Sequence, residues 1–371
     1  MALPPEDLPD PTQVEGAPHP RAAPGLFGQD AAEAEFLRAF ASGRPHHAWL
    51  LAGPRGVGKA TLAWRIARFL VAAPDGGPSA PPPDTLDLPP GHPVARRIAA
   101  GSEGRVFHLR RGANGAGTAL SDDIRVDEVR KLRAFLALSE TDGGRRVAII
   151  DSVDELAASG ANALLKLLEE PPARVTLLLV SHRPRRLLPT IRSRCRVLRL
   201  VPLGPAAMAA ALAQAGVDGD AAALAQLSGG SVGEALRIAG GDGVALYAGL
   251  VALFGSVPGL DRAAALALAE KAAGRAGEAR FDLTLYLTDL FLSRVARAGA
   301  LGHAPPAIVP GEAALIARLA PSPQAAQGWA DLAQGLGLRA RAGRAVNLDP
   351  AALLLDSFLR IDETAGQLAR R

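Results

Sequence analysis

The sequence predicts an α/β domain built on a parallel sheet, followed by segments that are entirely helical. Short apolar runs typical of buried parallel strands alternate with helical patterns up to about residue 200. A glycine-rich motif of the phosphate-binding kind lies between the first of these runs and the next helix. From residue 203 onward the strand signal stops, and an Ala- and Leu-rich sequence with helical patterns continues.

Composition limits the class of protein. The 371 residues are enough for two or three domains, and 49% hydrophobic with 21% charged residues predict a globular core. Cys195 is the single cysteine, which excludes an intramolecular disulfide and a cysteine-rich zinc site. The net charge of +4 permits nucleic-acid binding without indicating it. We expect a cytoplasmic protein with no membrane segment, because no apolar run reaches ~18 residues and the first residues lack signal-peptide features.

The α/β domain is predicted to follow a tail and to begin near residue 25. Residues 1–24 carry many prolines and no hydrophobic periodicity, so we expect a disordered N-terminal tail. After an amphipathic helix at 31–41, five strands are expected at the apolar runs 48–52, 106–109, 147–150, 175–180 and 197–200, most of them separated by helices that include 60–71, 125–138 and 157–168. The Pro- and Gly-rich stretch 73–93 is predicted to be a surface insertion of this domain, which we assign to 25–202.

The helical part is predicted to form two further domains. Paired glycines at 229–230 and 240–241 and prolines at 305–306 and 321 interrupt the helical pattern. We therefore expect a small helical domain at 203–242 and a larger helical domain at 243–371.

Residues 53–61, GPRGVGKAT, form a phosphate-binding loop that lacks one working part. Glycines let backbone N–H groups wrap a phosphate at a helix N-terminus, and the lysine neutralises its charge. Ala60 stands where the motif has a Ser or Thr that ligates Mg²⁺, and Thr61 comes one residue late, about 100° further round the helix. The candidate nucleotide-binding residues are Gly53, Gly56, Gly58, Lys59, Thr61 and, from a later strand, Asp151.

Asp151 directly follows the apolar run 147–150, and this pattern looks like the second strand of an ATPase site. A carboxylate is expected next to it, but Ser152 follows, and a serine cannot polarise an attacking water as a carboxylate does. Asp154 and Glu155 come after the strand and are poor substitutes. The sequence therefore predicts that hydrolysis is lost. Whether the loop binds ATP or ADP stays open, and Mg²⁺ is expected only together with the nucleotide.

Four stretches resemble the clamp-loader ATPases of bacterial replication, a branch of the AAA+ proteins. They are Gly28-Gln29 ahead of the loop, IRVDEVR at 124–130, NALLKLLEEPP at 162–172 and Ser193-Arg194-Cys195. The third and fourth stretches are the specific ones, and the resemblance covers residues 26–201. It implies an AAA+ P-loop domain with a parallel five-stranded sheet and flanking helices, a small helical lid, and an all-α C-terminal collar.

The resemblance also implies roles for single residues. The Arg of Ser-Arg-Cys is an arginine finger in this family, so Arg194 would act in trans on ATP bound by a neighbouring subunit; the alternative is a surface arginine in a basic run. The tau/gamma motor subunits keep the Ser/Thr, the second carboxylate and a sensor 2 arginine, where this chain has Ala60, Ser152 and Gly233. The family's zinc module is replaced by the cysteine-free insertion at 73–93, so we expect no zinc and no other metal site.

The implied partners are other clamp-loader subunits of the tau/gamma and delta types in a hetero-pentamer, the sliding clamp, and primer-template DNA through the complex. Two alternatives stay open at this point. One is an active ATPase of the tau/gamma type, and the other is a stand-alone P-loop NTPase with helical appendages.

Overall fold

A computed structural model gives the fold of residues 10–14, 16–43, 45–73, 84–89, 91–114, 118–137, 145–273 and 277–370. The chain divides into two compact units. The first comprises Met1–Asp218 with Gly230–Leu236, and the second comprises Gly219–Gly229 with Arg237–Arg371.

The first unit is built on a five-stranded parallel sheet. Its strands are β1 (Ala48–Ala52), β2 (Val106–Leu109), β3 (Arg146–Asp151), β4 (Val175–Ser181) and β5 (Arg196–Arg199). Their order across the sheet is β2-β3-β4-β1-β5, and every neighbouring pair is parallel. The strand that leads into the phosphate loop is thus separated from β3 by β4. The predicted AAA+ fold class is confirmed.

Helices cover the sheet of the first unit. They are α1 (Asp30–Ala41), α2 (Lys59–Ala72), α3 (Pro93–Ala99), α4 (Val126–Ala137), α5 (Ala158–Glu169), the short α6 (Pro189–Arg192) and α7 (Pro205–Gln214). Every residue of β1 and β3 is buried, because helices cover both faces of these inner strands. Along the edge strand β5, Arg196 and Arg199 are instead exposed, Val197 is half-buried and Leu198 is buried. Continuous apolar runs therefore mark the centre of this sheet.

Part of the expected tail is ordered against the first unit. Residues 1–9 and 15 lie outside the description, but Asp10 forms an ion pair with Arg110 at 3.0 Å, and Arg68 donates a hydrogen bond to the carbonyl of the buried Ala23. We expected disorder here, but residues 10–14 and 16–24 are held by polar and backbone contacts. Contacts of this kind do not require a periodic pattern of hydrophobic residues, so the sequence does not reveal them.

The predicted insertion at 73–93 is described only in part. Residues 74–83 and 90 lie outside the description. Within 84–89, Leu86 is buried and Asp87 forms an ion pair with Arg65 at 2.8 Å.

The second unit is helical throughout its described residues. Its helices are α8 (Ala221–Leu227), the end of α9 (Val232–Gly240), α10 (Gly243–Phe254), α11 (Arg262–Ala273), α12 (Gly277–Leu301), α13 (Glu312–Leu319), α14 (Pro323–Ala345) and α15 (Pro350–Ala369). A fully buried carboxylate, Glu312, accepts hydrogen bonds from the Tyr247 hydroxyl at 2.6 Å and from Arg294 Nε at 2.7 Å. The helical character of the C-terminal part is confirmed; the lid and collar boundaries stay predictions.

Over the part of the chain with described coordinates, no single helix has the length and apolarity needed to cross a membrane. One bent pair, Val232–Gly240 with Gly243–Phe254, meets the criterion by length and composition only.

Candidate functional site

The phosphate loop joins β1 to α2 and depends on its glycines. Gly56 and Gly58 have φ values of 76° and 97°, a region that other residues rarely adopt. Gly58 is also the N-cap of α2, so the helix begins at Lys59. At Gly53 a Cβ atom would lie 2.4 Å from the carbonyl oxygen of Leu200. The three glycines predicted from the motif are therefore required by this backbone.

Lys59 is directed at the loop itself. Its ammonium donates hydrogen bonds to the carbonyl of Gly53 at 2.8 Å and to that of Pro54, and the residue is 3% exposed. Burial lowers the pKa of Lys59 to about 8, although the negative charges of Asp151 and Asp154 raise this pKa. The ammonium group that would neutralise a phosphate thus has its hydrogen-bond acceptors in the first two residues of its own loop.

Asp151 ends β3 and is 7% exposed. Burial raises its pKa to about 7, although the charge of Lys59 lowers it. The two groups share a dry environment, which disfavours the charged form of both. The Ser152 hydroxyl that follows donates to Asp154 Oδ2 at 3.3 Å.

Asp154 has a structural role that sequence reasoning missed. Its carboxylate accepts hydrogen bonds from the Ser181 hydroxyl at 2.8 Å and from the backbone N–H of His182 at 2.5 Å. These donors lie at the end of β4, so Asp154 ties the loop after β3 to the neighbouring strand. The adjacent Glu155 forms an ion pair with Arg111 at 2.9 Å. Both carboxylates are therefore engaged by other groups of the chain.

The stretch predicted to resemble sensor 2 lies against the phosphate loop. The backbone N–H groups of Val232 and Gly233 donate to the Gly56 carbonyl at 2.9 and 3.3 Å. A Cβ atom at Gly56 would lie 2.1 Å from the Ser231 hydroxyl oxygen. Gly233 therefore touches the loop through its backbone and offers no side chain.

The residues do not fit a nucleotide–magnesium complex in this arrangement. Lys59 bonds to loop carbonyls, and Ser231 crowds Gly56. Ala60 and Thr61 are the second and third residues of α2, so no hydroxyl stands at the position that ligates Mg²⁺ in the motif. Within the described coordinates, no group of three or more His, Cys, Asp or Glu side chains converges as metal ligands.

Arg194 lies at the amino ends of the parallel strands, whereas the phosphate loop follows the carboxyl end of β1. It precedes β5, whose Arg196 pairs with Trp49, three residues before the end of β1. At about 3.3 Å per strand residue, this places Arg194 roughly 10 Å or more from the loop along the strands. Its side chain is 36% exposed.

Two contacts hold the guanidinium of Arg194. Nη2 forms an ion pair with Glu169 Oε1 at 2.9 Å, and Nη1 donates to the Thr190 carbonyl at 3.0 Å. Glu169 ends α5 just before β4, so it also lies at the amino-terminal edge. No sequence pattern indicated that Glu169 would contact Arg194, because 25 residues separate them. The contacts orient the arginine along this edge.

The strand order, the glycine loop after β1 and the aspartate that ends β3 define the class, a P-loop domain of the AAA+ type. Residues 28–204 match the family model described as DNA polymerase III, delta subunit. This part of the chain is thus similar to clamp-loader subunits of DNA polymerase III, in agreement with the resemblance found in the sequence.

Individual relatives agree with the family model. The chain is 40% identical over 200 residues to DNA polymerase III subunit delta' of Pseudomonas aeruginosa, which covers 52% of this chain and 56% of the relative. It is 32% identical over 214 residues to subunit delta' of Escherichia coli, covering 56% and 59%. Subunit gamma/tau of Mycobacterium tuberculosis is 32% identical over 189 residues, covering 51% and 30%. The chain therefore spans between about a third and three fifths of the curated relatives it matches.

Proposed function

We propose that this chain is a delta'-type clamp-loader subunit that does not hydrolyse ATP itself. It supplies Arg194 to ATP bound by a neighbouring subunit. The observation that carries the proposal is the separation of two features on one sheet. The phosphate loop follows the carboxyl end of β1, whereas Arg194 precedes the amino end of β5. An arginine at that edge serves a second subunit, because it faces away from its own loop.

The state of the chain's own site supports the loss of hydrolysis. The hydroxyl that holds magnesium is replaced by Ala60, and the carboxylate after Asp151 is replaced by Ser152. Asp154 is engaged by Ser181 and His182, so it does not act as the missing base. Gly233 contacts the loop without a positive charge. Each change removes a different part of phosphoryl-transfer chemistry.

Arg194 suits the role by its chemistry and position. A guanidinium stays charged and presents a planar fork that matches two phosphate oxygens. In phosphoryl transfer such an arginine stabilises charge that develops on the transferred group. Glu169 and Thr190 hold Arg194 at the surface, so little conformational entropy is lost when a neighbour's phosphate replaces Glu169.

The family supplies the wider setting of the proposal. The chain would take one place in a hetero-pentamer with tau/gamma and delta subunits in the cytoplasm. The complex would open the sliding clamp and load it onto primer-template DNA. In this arrangement, ATP and Mg²⁺ act at the neighbouring sites.

The matching gamma/tau relative favours one second candidate, an active ATPase of that type. This candidate predicts ATP turnover by the isolated chain and loss of that turnover in Lys59→Ala. Our proposal predicts no turnover by the isolated chain. A stand-alone NTPase would instead turn over a small substrate without any other subunit.

The test of the proposal uses the reconstituted complex. Arg194→Ala is expected to leave assembly intact, as judged by gel filtration, and to reduce hydrolysis at the site it serves by roughly 10³-fold. Arg192→Ala is the matched control, since Arg192 is an exposed arginine two residues away. Unchanged turnover in the Arg194→Ala complex would overturn the arginine-finger role.

A further inference from the structure

Two groups that differ in their place in the chain hold the guanidinium of Arg194. The Thr190 carbonyl belongs to the same turn, and it accepts hydrogen bonds from Arg194 Nη1 at 3.0 Å and from the Ser193 hydroxyl at 3.1 Å. The Glu169 carboxylate comes from another element, the end of α5, and lies 2.9 Å from Nη2. The guanidinium thus has one local contact and one contact across the fold.

The local chain fixes the direction of Arg194 without Glu169. The backbone N–H of Arg194 donates to the Ile191 carbonyl at 3.2 Å, and the next residue, Cys195, packs against the core of the first unit. The arginine therefore stands between a hydrogen-bonded turn and a residue that is anchored in the core. Together with the Thr190 contact, this anchoring stays in place when Glu169 is removed.

Glu169 does not stabilise the helix that carries it. The carboxyl end of a helix has a partial negative charge, which favours basic side chains there and disfavours acidic ones. Glu169 is the last residue of α5, and a second glutamate, Glu170, follows it. His47, directly before β1, holds this helix end, because its Nε2 lies 3.0 Å from the Leu168 carbonyl oxygen. The carboxylate of Glu169 is thus placed beside Arg194 in spite of the charge of its own helix.

The ion pair between Glu169 and Arg194 is weak enough to be exchanged. The two side chains are 49% and 36% exposed, and a pair at such exposure changes an equilibrium by about fivefold at most. A terminal phosphate carries roughly twice the charge of a carboxylate and presents three acceptor oxygens. It therefore competes well for the N–H groups that Glu169 holds.

We infer that Glu169 is a competing ligand of Arg194, which occupies the guanidinium until the terminal phosphate of a neighbour's ATP displaces it. The inference rests on the proposed function, because it requires that Arg194 serves a neighbour's ATP. It adds a residue that regulates this service: the carboxylate raises the ATP concentration that the neighbouring site needs, and it takes no part in the reaction. Loss of its charge should therefore lower KM and leave kcat unchanged.

The experiment measures kcat and the KM for ATP at the site this chain serves, in the reconstituted complex with clamp and primed DNA. Glu169→Gln keeps the size of the side chain and loses its charge, and we expect KM to fall about two- to fivefold at unchanged kcat. Glu170→Gln removes the same charge one residue further on, at an exposed position, and is the matched control with the KM of wild type. In an Arg194→Ala background, Glu169→Gln should no longer change KM, because the carboxylate acts through the arginine.

A second readout uses the isolated chain, where no neighbour is present. Phenylglyoxal modifies free guanidinium groups, and mass spectrometry gives the rate at Arg194 with the exposed Arg192 as the internal reference. We expect Arg194 to react about two- to fivefold faster in Glu169→Gln than in wild type, because the guanidinium is released from the ion pair. Equal rates would overturn the inference.

The outcomes in the complex separate the inference from the proposed function. If Arg194→Ala leaves turnover unchanged, the arginine-finger role and the inference both fail. If Arg194→Ala reduces turnover and Glu169→Gln lowers kcat at constant KM, Glu169 orients the arginine for the reaction and only the inference is overturned. An unchanged KM in Glu169→Gln, or an equal fall in Glu170→Gln, also overturns the inference alone.

Discussion

Asp154→Ala tests the role that the structure gives to this carboxylate. The substitution removes the acceptor of the Ser181 hydroxyl at 2.8 Å and of the His182 N–H at 2.5 Å, and two longer contacts from Ser152 and Arg183. Hydrogen bonds to a charged group contribute about 1.5–3 kcal/mol each. Since the two short bonds dominate and Asp154 is only half-buried, we expect a loss of about 3 kcal/mol in the free energy of unfolding of the first unit.

The assay has to separate the two units. Trp49 and Trp64 belong to the first unit and Trp329 to the second, so urea unfolding followed by tryptophan fluorescence in a Trp329→Phe background reports the first unit alone. For a unit of this size, about 3 kcal/mol corresponds to a fall in Tm of roughly 6–12 °C.

Two matched variants sharpen the Asp154 prediction. Asp154→Asn keeps one acceptor oxygen without the charge, so it should lose about half as much stability. Glu155→Ala removes the neighbouring carboxylate and its partly exposed pair with Arg111, and should cost no more than about 1 kcal/mol. The reasoning is refuted if Asp154→Ala costs no more than Glu155→Ala.

Two further predictions concern groups whose pKa is shifted. Because burial raises the pKa of Asp151 to about 7, the folded protein keeps a proton there that the unfolded chain releases above about pH 4. Stability from this group therefore falls as pH rises from about 4 to 7, and the advantage of Asp151→Asn in urea unfolding should grow over that window; a difference that is constant with pH would contradict this. Burial also raises the pKa of Cys195 to about 12, so its reaction with a disulfide reagent at pH 8 should be about 10³-fold slower in the native chain than in urea. Similar rates in both states would contradict the burial of the thiol.

The inner strands could be predicted from the sequence because helices cover both faces of them. Such strands must be apolar at nearly every position, and β1 and β3 lie at their predicted runs within a residue or two. The glycines of the phosphate loop were predictable as well, since positive φ values at Gly56 and Gly58 leave little choice of residue.

The missed features depend on single long-range polar contacts. Asp154 reaches Ser181 across 27 residues, and Asp10 reaches Arg110 across 100. Such contacts impose no period on the sequence, and a proline-rich stretch such as 10–24 has the composition of a disordered segment. The contact between Arg194 and Glu169 could not be predicted for the same reason, although both residues lie in stretches that carried the family resemblance.

ATP turnover by the reconstituted complex, in the presence of clamp and primed DNA, tests the proposed role of the chain most directly. The measurement compares complexes that carry wild type, Arg194→Ala, Arg192→Ala or Lys59→Ala. We expect turnover to fall with Arg194→Ala alone, because the proposed function gives the chain an arginine for its neighbour and no catalysis of its own. A complex that is impaired by Lys59→Ala and unaffected by Arg194→Ala would contradict the account.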